Sequence, residues 1–163
     1  MTPFRHALAF AAALLAAPLA VADGGGSGGG ADVATDAASP EVAQAVKLID
    51  AGRHADAIPL LKQHVAKAPT DASAQNWLGF AYRKAGNLDA AFMHYDQALK
   101  IDPKHRGAHE YVGEAYLMVG NLAKAEEHLK ALDKLCWLPC EQHADLKRAI
   151  ADYKANGNRF VSR

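Results

Sequence analysis

Apolar and small residues recur through the middle of the chain at a spacing of about 34 positions, with polar residues between the copies. Two columns run through three copies, Gly52, Gly86 and Gly120 in one and Ala57, Ala91 and Ala125 in the other. Further columns run through two copies and pair Pro69 with Pro103, Gly79 with Gly113, and Tyr82 with Tyr116. A fixed period of this length is typical of a solenoid built from helix-turn-helix units.

The residue types in these columns predict where helices begin and end. The three-copy glycine column is expected to close the first helix of each unit, because glycine adopts the left-handed conformation without a penalty from Cβ. Asn87 and Asn121 directly follow two of these glycines and are suited to cap the next helix. Pro69 and Pro103 are expected to lie just beyond the second helix, because proline disfavours a helical residue before it.

Gly79 and Gly113 are predicted to lie inside helices, where a glycine costs about 1 kcal/mol relative to alanine. Their repetition therefore predicts a close approach of two helices at this position. The small residues opposite them are expected to be the alanine column, Ala57, Ala91 and Ala125.

The most complete unit contains Leu78-Gly79-Phe80-Ala81-Tyr82, Gly86-Asn87-Leu88, Ala91, Tyr95, Ala98-Leu99 and Asp102-Pro103. In this pattern the chain resembles the tetratricopeptide (TPR) repeat family. The resemblance implies an all-α fold, a right-handed solenoid of about three helix-turn-helix repeats at residues 38–71, 72–105 and 106–135. The first repeat matches weakly, with Gln44 and Ala45 where the family has Leu-Gly, and with Pro59 near the start of its second helix.

An amphipathic segment follows the third repeat. Its apolar residues, Leu146, Ala149, Ile150 and Tyr153, are spaced i, i+3, i+4 and i+7, as on one face of a helix. The pattern predicts a helix at about 141–155 that completes a TPR domain of residues 40–155 and caps its last repeat. A helix offered to a partner is the alternative, and residues 156–163 are expected to be a tail.

The two cysteines of the chain, Cys136 and Cys140, lie between the third repeat and this helix. Pro139 disfavours one continuous helix through the segment, and an even cysteine count in an exported protein indicates a disulfide. Closing so short a loop is expected to contribute about 2 kcal/mol. A redox-active pair, reduced thiols or a metal site are the alternatives. A C-terminal cysteine pair followed by a charged helix also resembles exported bacterial TPR proteins.

The N-terminus carries the pattern of a secretory signal. Arg5 and His6 precede an apolar run over residues 7–20, and Ala20-Val21-Ala22 presents small residues for a signal peptidase. Residues 1–22 are therefore predicted to be removed before Asp23, although an apolar first helix of the domain is the alternative. Signals of this Ala- and Leu-rich type resemble those of Gram-negative bacteria, which implies a periplasmic or secreted protein.

Residues 23–39 are Gly-rich and are expected to form a flexible linker. Cleavage of the signal removes Arg5 and leaves 17 basic residues against 18 acidic ones. Such a balance argues against attraction to nucleic acid or to anionic lipid. The apolar run is shorter than the roughly 20 residues that a membrane span requires, and cleavage would remove it, so no insertion of the mature chain into a membrane is expected.

The sequence shows no pattern of catalysis. It contains no nucleophile elbow, no phosphate-binding loop and no HExxH motif. His105 and His109 are four residues apart, a spacing that suits two metal ligands on a helix, but no third or fourth ligand accompanies them. The chain is therefore predicted to be neither an enzyme nor a metal protein, and to hold no cofactor.

The resemblance implies a partner-binding groove on the concave side, lined by the first helix of each repeat. The implied contacts are Asn76, Phe80, Arg83, Lys84, Glu110, Glu114 and Leu117, with Val42, Val46, Ile49 and Ser73 farther along the row. Charge reversal at Arg83 or Glu114 is expected to weaken binding and to leave stability nearly unchanged, with Lys130 as a convex control. Ordinary solvated positions are the alternative for each of these residues.

Two function classes follow from these observations. The chain is predicted to be a protein–protein interaction scaffold that binds a peptide or a helix of a protein partner. The mixed polarity of the groove positions, with Glu110 and Glu114 among them, argues against a clamp for a C-terminal carboxylate. A thiol-disulfide or metal-handling protein built on Cys136 and Cys140 is the alternative.

Overall fold

The computed structural model describes residues 39–161. This part of the chain consists of α-helices joined by short turns, without a β-strand. In chain order the helices are α1 (Pro40–Asp50), α2 (His54–Lys67), α3 (Ala72–Lys84), α4 (Leu88–Ile101), α5 (Arg106–Met118), α6 (Leu122–Leu135) and α7 (Glu141–Ala155). The predicted signal segment and residues 23–38 of the linker lie outside the described residues. Among the described helices, none combines the length and the hydropathy of a membrane span.

Helices that follow one another in the chain pack together, so that α1 with α2, α3 with α4, and α5 with α6 form hairpins. Between hairpins, α2 contacts α3 and α4 contacts α5. The first helices α1, α3 and α5 also contact one another in order, and α7 packs on both α5 and α6. The predicted all-α solenoid is thus confirmed, and α1, α3, α5 and α7 form one row.

The glycine column closes the first helix of each hairpin, as predicted. Gly52, Gly86 and Gly120 have φ angles of +73°, +85° and +77°, the left-handed region that favours glycine. The amide after each glycine donates back to a carbonyl in the preceding helix, as from Asn87 to Tyr82. This closure sets the sharp turn between the two helices of every repeat.

Side-chain caps and prolines mark several of the other helix ends. The Asn87 and Asn121 side chains accept hydrogen bonds from the amides of Ala90 and Lys124, which confirms both as N-caps of second helices. Pro69 and Pro103 each stand two residues beyond the end of a second helix. Pro59 lies inside α2, which begins at His54 and continues through the proline.

The close helix approach at Gly79 and Gly113 is confirmed, but the residues opposite are not the alanines that were predicted. A Cβ at Gly79 would lie 2.7 Å from the ring of Tyr95 on α4, and one at Gly113 would lie 2.6 Å from Leu146 on α7. Because glycine has no side chain, a large neighbour can pack directly on the helix backbone. Tyr95 does so at Gly79, and Leu146 does so at Gly113. The alanine column is fully buried elsewhere in the core.

The C-terminal helix buries the apolar stripe that the sequence predicted. Leu146, Ala149, Ile150 and Tyr153 are all buried and pack in one cluster with Leu117, Ala125 and Leu132. Cys136 ends α6 and Cys140 precedes α7, and the two form a disulfide with their Cα atoms 5.8 Å apart. The predicted bridge between the last two helices is therefore present.

Substitution of Gly79 by alanine tests this packing. Helix propensity alone favours alanine by about 1 kcal/mol, but the new Cβ would overlap the Tyr95 ring. We expect Gly79→Ala to lower the free energy of unfolding by about 1 to 3 kcal/mol in urea denaturation. Gly107→Ala on α5 is the control, because its Cβ meets no atom closer than 3.4 Å and its stability should be equal or higher. A stabilised Gly79→Ala would contradict the register.

Candidate partner-binding cleft

A cleft of about 460 Å³ opens on the face formed by α3, α5 and α7. Helix α3 contributes Phe80, Arg83 and Lys84, and α5 contributes Glu110, Tyr111, Glu114 and Met118. The other lining residues are Gly86, Ala149, Asp152, Tyr153, Phe160 and Val161. Spacings of three and four residues place each set on one face of its helix. The cleft thus contains five of the seven predicted groove residues.

Arg83 is the most constrained side chain of the cleft. It is only 5% exposed, and its guanidinium bonds to the Glu114 carboxylate at 2.6 Å. The guanidinium also lies over two aromatic rings, 5.2 Å from the centroid of Phe80 and 5.6 Å from that of Tyr111. Because these contacts engage its charge, Arg83 joins α3 to α5 and is not available to hold an anion.

The environment of Arg83 corrects one sequence prediction. Reversing its charge would place two carboxylates together in a buried site, and breaking a buried pair costs roughly 3 to 5 kcal/mol. The expectation that Arg83 substitution leaves stability nearly unchanged is therefore wrong. Sequence spacing placed Arg83 and Glu114 on the same face of the solenoid, but it did not reveal that they bind each other.

Two other predicted groove residues belong to the core. Asn76 is 2% exposed and Leu117 is 1% exposed, and neither lines the cleft. At the α1 end of the row, Val42 and Ile49 are buried as well, and the Ser73 hydroxyl meets the His105 imidazole at 3.4 Å. The turn of the helix at these positions directs the side chains between neighbouring helices and away from solvent.

Glu110 is the carboxyl group of the cleft without a partner. Its residue is 8% exposed, and no hydrogen bond or ion pair joins it to another described residue. Burial, followed by the nearby carboxylates of Glu114 and Asp145, raises the pKa of Glu110 to about 8 although Arg83 lowers it. Glu110 therefore holds a proton at neutral pH while the cleft is empty.

Aromatic rings form one wall of the cleft and extend along the row of first helices. The rings of Phe80 and Tyr111 are 4.8 Å apart, and Trp77 meets Phe80 edge-on at 5.9 Å. Sequence reasoning did not single out Trp77 and Tyr111. They stand one repeat period apart, so the periodicity that revealed the glycines also contained this signal.

The histidines lie apart from the cleft lining and do not form the suggested ligand pair. The His105 ring accepts a hydrogen bond from the Ala108 amide and caps α5. His109 instead contacts the Pro103 carbonyl and meets His128 at 2.9 Å between their Nδ1 atoms. Within residues 39–161, no group of three or more His, Cys, Asp and Glu side chains has an arrangement suited to a metal ion.

Comparison with known families agrees with this architecture. Residues 42–106 and residues 82–135 each match a model of the tetratricopeptide repeat. Together the two matches span more than half of the 163-residue chain. The chain belongs to the tetratricopeptide repeat family.

This TPR chain is similar to proteins of several kinds. It is 27% identical to the TPR repeat-containing thioredoxin TTL4 of Arabidopsis thaliana over 97 residues, which are 60% of this chain and 14% of TTL4. The solved structure of MamA, residues 41 to the end, from Desulfovibrio magneticus RS-1 matches with a TM-score of 0.56 and 26% identity. That match covers 58% of this chain and 54% of MamA.

A further solved structure covers more of the TPR chain. The type III secretion translocator chaperone SycD of Yersinia enterocolitica matches with a TM-score of 0.66 over 81% of this chain and 97% of SycD. Its identity is 22%, so this likeness concerns the fold alone. The TPR chain thus spans a small part of TTL4, about half of MamA and nearly all of SycD.

Replacing Glu110 by glutamine tests the unpaired carboxyl. A glutamate with an ordinary pKa of 4.5 ionises freely in the unfolded chain, whereas Glu110 in the folded chain resists ionisation up to about pH 8. As the pH rises from 4.5 to 8, position 110 therefore ionises in the unfolded chain but not in the folded chain, and the free energy of unfolding falls. We expect Glu110→Gln to raise the free energy of unfolding by about 1 to 3 kcal/mol at pH 8, with the gain vanishing near pH 4.5.

Glu127→Gln is the matched control, because Glu127 is exposed and pairs with Lys124 on the surface of α6. Its effect should stay within about 0.5 kcal/mol at both pH values. A Glu110→Gln protein that is less stable than the original at pH 8 would show that Glu110 makes a stabilising contact, contrary to its surroundings in the cleft.

Proposed function

We propose that the protein is a non-catalytic interaction scaffold that binds a segment of a protein partner in the cleft between α3, α5 and α7. The observation that carries this proposal is the cleft itself. It is formed by α3, α5 and α7, which lie next to one another in one row of the TPR solenoid. TPR proteins bind peptides or partner helices on this face of the fold. Its volume of about 460 Å³ accommodates a few side chains of a bound segment.

The surface of the cleft suits binding more than chemistry. Its described lining contains no serine, cysteine or histidine, so no nucleophile of these three types stands beside its carboxyl groups. It offers aromatic surface from Phe80 and Tyr111 beside the ammonium group of Lys84 and the carboxyl group of Glu110. Aromatic side chains beside a few charges are typical of protein interfaces. We therefore propose an extended or helical ligand of mixed polarity.

The cysteine pair is proposed to have a structural role. The disulfide joins the end of α6 to the start of α7, and neither cysteine lines the cleft. A bond at this place holds the last helix against the third repeat. No feature of the described chain favours a thiol-disulfide activity over this bracing role.

Charge reversal on the rim of the cleft tests the proposed function. Photo-crosslinking from position 84 in the periplasm of the organism that encodes the protein would supply the partner, and mass spectrometry would map the attached segment. Lys84→Glu should then change the affinity for that segment by about tenfold, which corresponds to about 1.4 kcal/mol. Lys84 is exposed, so the thermal midpoint should change little.

Lys130→Glu on the exposed surface of α6 is the control for this measurement. It changes the same charge away from the cleft and should alter the affinity less than twofold. Equal binding by Lys84→Glu, Phe80→Ala and the original protein would assign the partner to another surface, of which the polar side of α7 is the next candidate.

We propose further that the protein is exported and works in the periplasm or outside the cell. The charged and apolar pattern of residues 1–22 and the disulfide both support this location. The exported product should begin at Asp23 by intact mass, and its cysteines should resist alkylation until the protein is reduced and unfolded. A product that retains Met1, or one with two reactive thiols, would contradict export.

A further inference from the structure

We infer that the segment bound in the cleft carries a cationic side chain, of lysine or arginine, and that its charge pairs with Glu110. The inference rests on the proposed function, because it names the chemistry of the ligand at the same site. It follows from the charges of the cleft, from the burial of Glu110 and from the aromatic wall beside it.

The charges of the cleft are unequal. Its lining holds three acidic residues, Glu110, Glu114 and Asp152, against the two basic residues Arg83 and Lys84. Glu114 is bound to Arg83, and Lys84 and Asp152 each have an interaction within the structure. Among the described residues, the carboxyl group of Glu110 is left without an ion-pair partner. A cation from a partner supplies the charge that the cleft lacks.

Burial makes this carboxyl group more than a surface charge. More than nine-tenths of Glu110 is buried, and a buried carboxylate without a partner is costly. The charged groups that act on Glu110 come from three helices: Arg83 on α3, Glu114 on α5, and Glu141 and Asp145 on α7. Three of these four groups are acidic, so their combined field favours a cation and opposes a carboxylate.

The wall of the cleft already accommodates one cation. The Arg83 guanidinium lies over the faces of Phe80 and Tyr111, where the ring electrons attract positive charge. Phe80 and Tyr111 also line the cleft, so they present apolar surface for the methylene groups of a lysine or arginine. A long cationic side chain therefore matches both the charge and the wall of the cleft.

Proton release distinguishes pairing with Glu110 from general electrostatic attraction. The empty cleft holds Glu110 protonated at neutral pH, since burial raises the pKa to about 8. A bound cation stabilises the carboxylate, so binding displaces the proton and tightens as the pH rises. Between pH 6 and pH 8 the ionised fraction of Glu110 increases strongly, and the affinity should rise by about tenfold or more.

The experiment uses acetylated and amidated short peptides that are identical except for one central lysine, norleucine or glutamate. Binding to the full mature chain is followed by NMR amide shifts at millimolar peptide. The lysine peptide should shift the resonances of Arg83, Glu110 and Tyr111 with an affinity at least about tenfold higher than the norleucine peptide. The glutamate peptide should bind most weakly.

Substitutions then assign the effect to Glu110. Glu110→Gln should reduce the affinity for the lysine peptide to that for norleucine and abolish its pH dependence. Glu110→Asp, which keeps the carboxyl group, should retain a lysine preference. The matched control Glu127→Gln, on the exposed surface of α6, should bind lysine like the original protein.

The outcomes separate this inference from the proposed function. Equal shifts at the cleft from the lysine and norleucine peptides, or a lysine preference that survives in Glu110→Gln, would overturn the cationic ligand and leave the cleft as a binding site. Shifts confined to other surfaces, or no shifts with any peptide, would also overturn the cationic ligand, whereas cross-linking from position 84 to a partner segment tests the proposed function separately.

Discussion

The contact between the Gly79 backbone and the Tyr95 ring is the interaction on which the rest of this structure depends. A side chain at position 79 would occupy the space of the ring, so the ring and the helix backbone are in direct contact. Tyr95 is fully buried, and its hydroxyl is close enough to Arg83 to interact with the guanidinium charge. One close approach of α3 and α4 therefore also determines what surrounds Arg83, at the point where the second and third repeats meet.

Arg83 connects the second repeat to the third. The ion pair with Glu114 and the cation–π contacts with Phe80 and Tyr111 connect α3 and α5 through a polar, buried group. Buried ion pairs are weak sources of net stability, because desolvation offsets much of the attraction. Their loss is nevertheless costly, since it leaves one charge buried alone. We interpret Arg83 as a residue that favours one alignment of adjacent repeats.

Glu110 differs from Arg83 in its lack of an ion-pair partner. Both residues are buried and line the same cleft, but Arg83 has an ion-pair partner, whereas the carboxyl group of Glu110 has none among the described residues. A position that lowers stability without a structural benefit is typical of a binding site. The repeat register adds to this contrast, because Asn76 stands one period before Glu110 and carries no charge at the corresponding place. At this repeat position the third repeat therefore carries a carboxyl group, whereas the second repeat carries an amide.

The local features of this fold were determined by the sequence. Gly52, Gly86 and Gly120 close helices, Asn87 and Asn121 cap helices, and the i, i+3, i+4 pattern of α7 predicts its buried face, because each feature depends on residues close in the chain. The period of 34 residues extends this local information to the whole solenoid, since identical units stack in one way. The disulfide was also predictable, because Cys136 and Cys140 flank a single short turn.

Only the tertiary structure decided which side chains contact each other across helices. Asn76 and Lys84 were both predicted to line the groove and lie eight residues apart on α3, just over two turns, yet Asn76 is buried and Lys84 is exposed. The neighbour of Gly113 is Leu146 on the capping helix, whereas that of Gly79 is Tyr95 within its own repeat, because α7 packs closely on α5. The pairing of Arg83 with Glu114, and the isolation of Glu110, depend on helix spacing and on desolvation in three dimensions. These quantities arise from the packing of several helices at once, and repeat periodicity alone does not contain them.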